Sequence, residues 1–478
     1  MKALGVGLVW WSALDPLFEP GGPGISVLEL EPESLWEQVS DASGWHYRCN
    51  EALLDRVAAL PQRKLLHGVG HPVGGTVDDP LDPWPLLRST ARRLQPAWVS
   101  EHLSFNRVAR PGSADHAGFL LPPPQSPAGV RIAAGNIGRY GRELGCPTAF
   151  ETGVNYLSPR EGEMDDGDWF AAVAQASGGG IVLDLHNLWC NERNGRKSIA
   201  DVLDRLPLER VWEIHLAGGM QQAGFCLDAH SGRVPPPLLD IAAEVIPRLP
   251  HLGALVFEIL PEHLPRIGLD GVQREIERLH ALWALRAPRI VRIPPADRVR
   301  QRWEAPTAAD AAEVACWEAS LVDALRERPP SRDGIGGFAR DPGCELLQGL
   351  IADFRSAHLV RALRYTMTAL LAALERSEVD ALLDAYGRAT PPEPFAAVEA
   401  ERFARYLAAA RPTLLARVPH LGELLAFEHA LLRATVLGQS SDVRWTVDPT
   451  ALTEALDAGT LPRDLPAAPT VMHIQAAA

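Results

Sequence analysis

Histidine and carboxylate residues recur in this chain where short apolar runs end, and that placement is the first sign of chemistry. In GGGIVLDLHNLWCN (178–191), the run Ile181–Leu183 leads directly into Asp184 and His186. His67 closes KLLHGVG, Glu101 and His102 sit in WVSEHLSF, and Glu151 ends PTAFETG. His215 ends VWEIHLAGG, Glu258 ends ALVFEIL, and Asp228 and His230 in CLDAHSG repeat the i, i+2 spacing of Asp184 and His186. Buried Asp, Glu and His are costly unless they are paired or coordinated to a metal. Imidazole and carboxylate without thiolate suit iron, manganese or zinc at an exposed catalytic centre. Four histidines and four carboxylates exceed what one mononuclear site requires. They admit two octahedral ions with bridging carboxylates, or three ions with fewer protein ligands each. Redox chemistry, hydrolysis and isomerisation all remain open to such a set. Glu101 can equally be an ion-pair partner of His102. Glu213 is expected behind His215, and Glu29 and Glu31 in LELEPE on the polar rim or behind the ligands, with a ligand role as the lesser alternative.

Such residues act together only if the backbone gathers them. Eight β-like runs precede residue 285: Leu4–Val9, Ile25–Leu30, Lys64–Val69, Trp98–Phe105, Pro147–Glu151, Ile181–Leu185, Val211–Leu216 and Ala254–Ile259. Helix-like segments lie between several of them, among them 35–60 and 199–210. Near-continuous apolar strands alternating with helices indicate a parallel sheet covered on both faces. Eight such units in one α/β chain segment predict a (β/α)8 TIM-type barrel, with an open doubly wound sheet as the alternative. Side chains alternate along a strand, so Asp184 and His186 are expected on one face. In a barrel, the C-terminal strand ends form the active face. The stretch HGVGHPVGG (67–75) resembles a phosphate loop, but its G-x-G-x-x-x-G spacing and Pro72 argue against a dinucleotide fingerprint.

The composition changes after residue 285. Residues 286–307 are rich in Pro and Arg and read as a linker. Segments 308–328, 345–386 and 395–438 carry Ala, Leu, Arg and Glu at helical spacing, so 308–478 is expected to be a mostly α-helical second domain. Residues 329–343 read as a loop, and DVRWTVDPTALTEAL near the end as a further strand or extended arm.

With 46 basic against 60 acidic residues, the formal charge is −14, which speaks against nucleic acid as a partner. No apolar run is long enough to span a bilayer, and the N-terminus lacks a signal-peptide cleavage pattern. The six cysteines are scattered with no Cys-x-x-Cys pair, as expected of reduced thiols in a cytoplasm.

Taken together and in order, VSEHLSF, LDLHN, EIHLAGG, DAH followed by VPPP, and LVFE resemble the multinuclear non-haem iron-dependent oxidases. That family acts in methanobactin biosynthesis and in cysteine modification of ribosomally made peptides, and the likeness runs through about residues 3–285. It implies a TIM-type barrel holding two or three irons in mixed Fe(II)/Fe(III) states, with dioxygen as co-substrate and a precursor peptide as substrate. The ligands implied are His67, His102, Glu151, Asp184, His215, Asp228, His230 and Glu258. Asn187 matches the asparagine after the family's aspartate and joins Glu101, His186 and Glu213 as a further ligand or a residue behind the ligands. This chain departs from the pattern at four places. His186 stands where asparagine is usual, Thr152 follows Glu151 where asparagine is frequent, Gly219 replaces a second histidine in HLAGH, and no acidic residue follows Glu258. Family enzymes work with a separate partner protein that recognises the precursor. The segment 405–434 resembles a helix of such partners, which implies a fused substrate-recognition module in its place.

Overall fold

Each of the eight apolar runs is a strand. The computed structural model describes residues 1–19, 22–286, 304–326 and 337–476. Its barrel strands are β1 (Gly5–Val9), β2 (Val27–Leu30), β3 (Arg63–Gly68), β4 (Val99–His102), β5 (Thr148–Glu151), β6 (Gly180–Asp184), β7 (Val211–Ala217) and β8 (Ala254–Glu258). They close in the order β1-β8-β7-β6-β5-β4-β3-β2, every neighbouring pair parallel. This is the TIM-type barrel, and closure excludes the open-sheet alternative.

Period-two alternation splits each strand between two environments. Leu28, Leu66, Phe150, Leu183, Ile214 and Phe257 face outward into the layer shared with the surrounding helices. Val27, Leu65, Trp98, Ala149, Val182 and Val256 fill the interior of the barrel. Two residues further along the same face come Glu29, His67, Ser100, Glu151, Asp184 and Glu258. The chain thus stacks an apolar floor and then a polar layer in the barrel mouth.

Three β-hairpins follow strand C-termini: Trp36–Asp41 with Gly44–Cys49, Phe105–Arg110 with Ser113–Leu121, and Met220–Gln222 with Phe225–Leu227. The first overturns the helix expected over 35–60, of which only Glu51–Ala59 is helical. The turn signal is local: Asp41 Oδ1 accepts from the Ser43 amide at 2.7 Å, and Gly44 takes φ +101°, which favours glycine.

The C-terminal region is mostly helical, as expected. Its longer helices are Ala308–Arg326, Pro342–Ala362, Arg376–Ala389, Ala396–Ala410 and Leu421–Val436. The anticipated strand is Ser441–Val447, paired antiparallel with Ala467–Ile474. These elements bury their own core around Leu370, Phe403, Leu424 and Trp445. A separate cluster joins the two parts, with Phe105, Val108, Leu121 and Tyr156 packed on Leu321, Val322, Leu325 and Leu347. Thr76 N donates to buried Glu318 at 2.7 Å, and Arg110 pairs with Asp323 at 2.6 Å. Most of the expected linker, and most of the expected loop over 329–343, lie outside the described residues. Among the described residues no helix is long and apolar enough to cross a membrane.

Candidate metal centre

The polar layer converges on Glu151, which is almost fully buried. His67 Nε2 lies 3.3 Å and His102 Nε2 3.0 Å from Glu151 Oε2, and His215 Nδ1 lies 3.6 Å from Oε1. The far side of each ring decides what these contacts are. His102 Nδ1 donates to the Gly68 carbonyl at 2.9 Å. His67 Nδ1 meets Ser100 Oγ at 2.8 Å, and that hydroxyl's own proton points to the Leu66 carbonyl. His215 Nε2 faces Glu29 at 3.2 Å. His102 therefore spends its N–H on a carbonyl behind the site and turns a lone pair toward Glu151, His67 does the same when Ser100 accepts, and His215 stands between carboxylates on both sides. Acceptor against acceptor repels unless a cation, proton or metal, lies between them.

The rest of the cluster repeats this pattern. Glu258 Oε2 stands 3.3 Å from His215 Nδ1 and 3.5 Å from His230 Nε2. Asp228 Oδ1 lies 3.0 Å from His230 Nε2 and 2.9 Å from His186 Nδ1. His230 takes φ +44°, a left-handed backbone rare outside glycine and found at functional sites. Glu151 Oε2, Asp184 Oδ2, Asn187 Oδ1, His215 Nδ1, His230 Nε2 and Glu258 Oε2 are buried without a hydrogen-bond partner. Three donor groups have ligand atoms close enough to share an ion: His67/His102/Glu151, Glu151/Asp184/His215/Glu258, and Glu29/Glu213/His215. An orphaned set of hard oxygen and imidazole donors fits a centre of more than one divalent metal ion.

All eight predicted ligand residues thus meet in one mouth, and one expectation, the strand face shared by Asp184 and His186, is revised. Glu101 is the partner of His102 rather than a member of the cluster: its Oε2 lies 3.8 Å from His102 Nδ1 and accepts the His102 amide at 2.8 Å. It falls on the outer face of β4, where its carboxylate accepts from the His71 amide at 2.9 Å and the Tyr140 hydroxyl at 3.2 Å. His186 is not on a strand face with Asp184. β6 ends at Asp184, whose Oδ1 caps the next helix by accepting from the Asn187 amide at 2.6 Å, and His186 lies in that helix's first turn (Leu185–Arg193). Glu31 stands close to the cluster, where burial pushes its carboxyl up to about 7 against the pull of His67 and His102. Glu213 sits behind His215 as expected, holding the Trp98 indole N–H at 2.8 Å, and burial beside Glu29 pushes it up to about 7.

The glycine-rich loop after β3 serves internal anions. The Val69 and Gly70 amides donate to Glu33 and the His71 amide to Glu101, so its N–H groups already hold carboxylates. Ser100 and Tyr156 had no signal in the sequence, and Thr152 stood out only as a departure from the motif pattern. Tyr156 Oη accepts from the Asp228 amide at 3.0 Å and Thr152 Oγ1 from the Asp184 amide at 3.0 Å, fixing the backbone beneath two carboxylates.

In the metal-free chain, protons take the place of the cation. Burial disfavours charge on His102, His215 and His230, yet the surrounding carboxylates outweigh it and hold all three well above the usual histidine range. Burial, reinforced by Glu151 and Asp228, holds Asp184 well above the usual carboxylate range. The raised ranges favour protons on these groups, which a metal taking them as ligands must displace. Metal binding is therefore expected to release more than one proton, and apparent affinity is expected to fall as pH is lowered. Calorimetric titration in two buffers of different ionisation heat measures this directly. Identical heats in both would show that the imidazoles are already free.

A closed parallel barrel whose mouth gathers His, Asp and Glu from six strands and the following loops is a TIM-type barrel with residue groups that could hold metal ions. Residues 23–281 match the RiPP precursor modification enzyme family MbnB/TglH/ChrH, and the chain belongs to that family. A UPF0276 protein of Chromobacterium violaceum is 32% identical over 223 residues, covering 47% of this chain and 79% of its own. A UPF0276 protein of Streptomyces avermitilis is 29% identical over 436 residues, covering 90% of this chain and 82% of its own, so its likeness extends through the helical region. Solved structures that align include D-psicose 3-epimerase from Clostridium cellulolyticum H10, at 10% identity and TM-score 0.39 over 60% of this chain and 100% of its own. D-Allulose 3-epimerase from Methylomonas sp. aligns at 15% identity and TM-score 0.40 over 59% and 99%.

Proposed function

We propose that this chain is a multinuclear non-haem iron oxidase that uses dioxygen to modify cysteine residues of a ribosomally synthesised precursor peptide. The observation that carries the metal is the meeting of three imidazole nitrogens, from His67, His102 and His215, on one buried carboxylate, within a cluster whose ligand atoms lie close enough to share ions. Family membership carries the peptide substrate. His67, His102, Glu151, Asp184, His215, Asp228, His230 and Glu258 would hold the ions, with Asn187 beside them. Bound iron would supply a Lewis-acidic seat for the cysteine thiolate and the electrons for dioxygen.

The chain's own residues do the rest. Glu29, Ser100 and the Gly68 carbonyl fix ring orientation and tautomer, so each histidine presents one defined nitrogen. The apolar floor of Val27, Leu65, Val182 and Val256 closes the barrel beneath the site to water. We divide the chain into a barrel domain over 1–285 and a helical domain over 308–478 that takes the role of a precursor-recognition partner. In support, the helix Ala308–Arg326 packs on the hairpin that follows β4, beside the mouth. The six free cysteines suit a reducing, cytoplasmic setting.

The test is metal analysis and visible absorption of protein purified without oxygen, with Asp184→Ala alongside, followed by exposure to dioxygen and a cysteine-bearing precursor peptide encoded beside it. Two or three irons per chain, lost in the variant, with a mass change at cysteine, are the expected results. Stoichiometric zinc or manganese with no peptide turnover would replace this reading by a hydrolase or isomerase.

A further inference from the structure

The hairpin that leads into Asp228 carries a pair of groups that the donor cluster does not use. Cys190 lies on the helix capped by Asp184, and Cys226 on the hairpin strand two residues before Asp228. Their sulfurs are 3.5 Å apart, both residues are buried, and 36 positions of chain separate them. Cys190 Sγ also lies 4.0 Å from Nε2 of His186, the residue whose Nδ1 meets Asp228. One imidazole thus stands between the thiols and the candidate ligands.

A lone buried cysteine acts as a small apolar side chain. Two sulfurs in contact are different, because a disulfide needs only that they close to about 2.0 Å, an approach of roughly 1.5 Å within reach of side-chain rotation. The helix begins at the end of a barrel strand. The two hairpin strands pair with each other, the Asn194 side chain at the end of the helix exchanges two hydrogen bonds of 2.8 and 2.9 Å with the Cys226 backbone, and the tip, Met220, Gln221, Gln222, Ala223 and Gly224, is exposed.

We propose that Cys190 and Cys226 form a redox-active dithiol that a hydroperoxide closes to a disulfide, pinning the hairpin before Asp228 to the helix that follows Asp184. With hydrogen peroxide, one sulfur attacks an oxygen, the O–O bond breaks, and the departing hydroxide leaves as water with the thiol's proton. The second sulfur then displaces the remaining hydroxyl from the resulting sulfenic acid, the S–S bond forms, and a second water leaves with the second proton. Two thiols lose two electrons and the peroxide gains them. A small dithiol reductant reverses the change.

The test uses the full, metal-free, reduced chain treated with equimolar hydrogen peroxide, quenched by alkylation and digested for mass spectrometry. The expected product is a peptide pair joined through Cys190 and Cys226, formed before exposed Cys316 is oxidised. Closing a 36-residue separation should raise Tm by about 5 °C, reversed by dithiothreitol. Amide exchange over residues 220–230 should slow by about tenfold, as local opening of the pinned hairpin becomes rarer. Cys190→Ser and Cys226→Ser should each abolish all three changes, whereas Cys316→Ser should keep them. Absence of the joined peptide at doses that oxidise Cys316 would overturn the dithiol. A joined peptide with unchanged Tm and exchange would overturn the pinning.

Discussion

Glu151→Ala is expected to empty the metal centre while leaving the barrel folded, lowering metal affinity by about 100-fold or more. Loss of an outer hydrogen-bonding partner of a metal site already costs about 10–100-fold, and Glu151 is the residue on which the cluster converges. Its two oxygens face His67, His102 and His215, and Asn187 Nδ2 donates to Oε1 at 3.2 Å. Removing it deprives two of the three donor groups of a shared oxygen at once. The fold has reason to survive. Ala149 and Phe150 keep their places in the interior and outer layers, and the variant removes a buried carboxylate that only its neighbours' charges sustain. Burial opposes the charge on Glu151, yet His102 and the other imidazoles hold it well below the usual carboxylate range. The measurement is metal per chain after equilibrium dialysis, paired with circular dichroism and a melting curve. Full metal content in Glu151→Ala would mean that the ions sit elsewhere. Glu101→Ala is the contrast, because its carboxylate lies on the outer face of β4, holding the His71 and His102 amides and Tyr140, so it should lose stability and lower metal affinity far less than Glu151→Ala.

The barrel was legible because its strands are apolar on both faces and end in charge. The ligand set was legible for the same reason, since the side chain two positions beyond an interior residue must enter the mouth. Val182 to Asp184, Val256 to Glu258 and Leu65 to His67 all obey that count. The count also separates Glu101 from His102, a distinction that their adjacency in sequence hid. It fails where a strand stops early. Asp184 is both the last strand residue and a helix cap, so His186 belongs to a 3.6-residue period and turns to Asp228. The hairpin over 36–49 was misread because its partly buried face gives no clean alternation, and only the turn at Asp41–Gly44 signalled it. Contacts across the fold, such as Cys190 with Cys226 or Ser100 with His67, had no local signature. They arise from closure of the barrel.

Closure also explains the paired departures at 186 and 219. The motif pattern that the sequence resembles has asparagine at the first place and histidine at the second, whereas this chain carries histidine and glycine. A Cβ at Gly219 would lie 2.6 Å from His186 Nε2, 2.7 Å from its Cε1 and 2.4 Å from the Leu227 carbonyl. The ring of His186 thus occupies the space that a side chain at 219 needs, and each residue permits the other. Gly219→His alone is expected to destabilise by about 3 kcal/mol or more, because both a fully buried ring and a backbone carbonyl must move. His186→Asn alone loses the 2.9 Å contact with Asp228 and leaves a void, a smaller cost. The double variant removes the ring that Gly219→His strikes, leaving only the carbonyl contact on a hairpin whose tip is exposed. It should therefore be more stable than Gly219→His, with a coupling of about 1–3 kcal/mol in the double-mutant cycle. Urea unfolding of the four proteins measures that coupling. Additive costs would show that the two positions changed independently. A coupled pair would mean that the His186 ring, which meets Asp228 at 2.9 Å, and a side chain at 219 compete for one space, so that the histidine at 186 requires the glycine at 219.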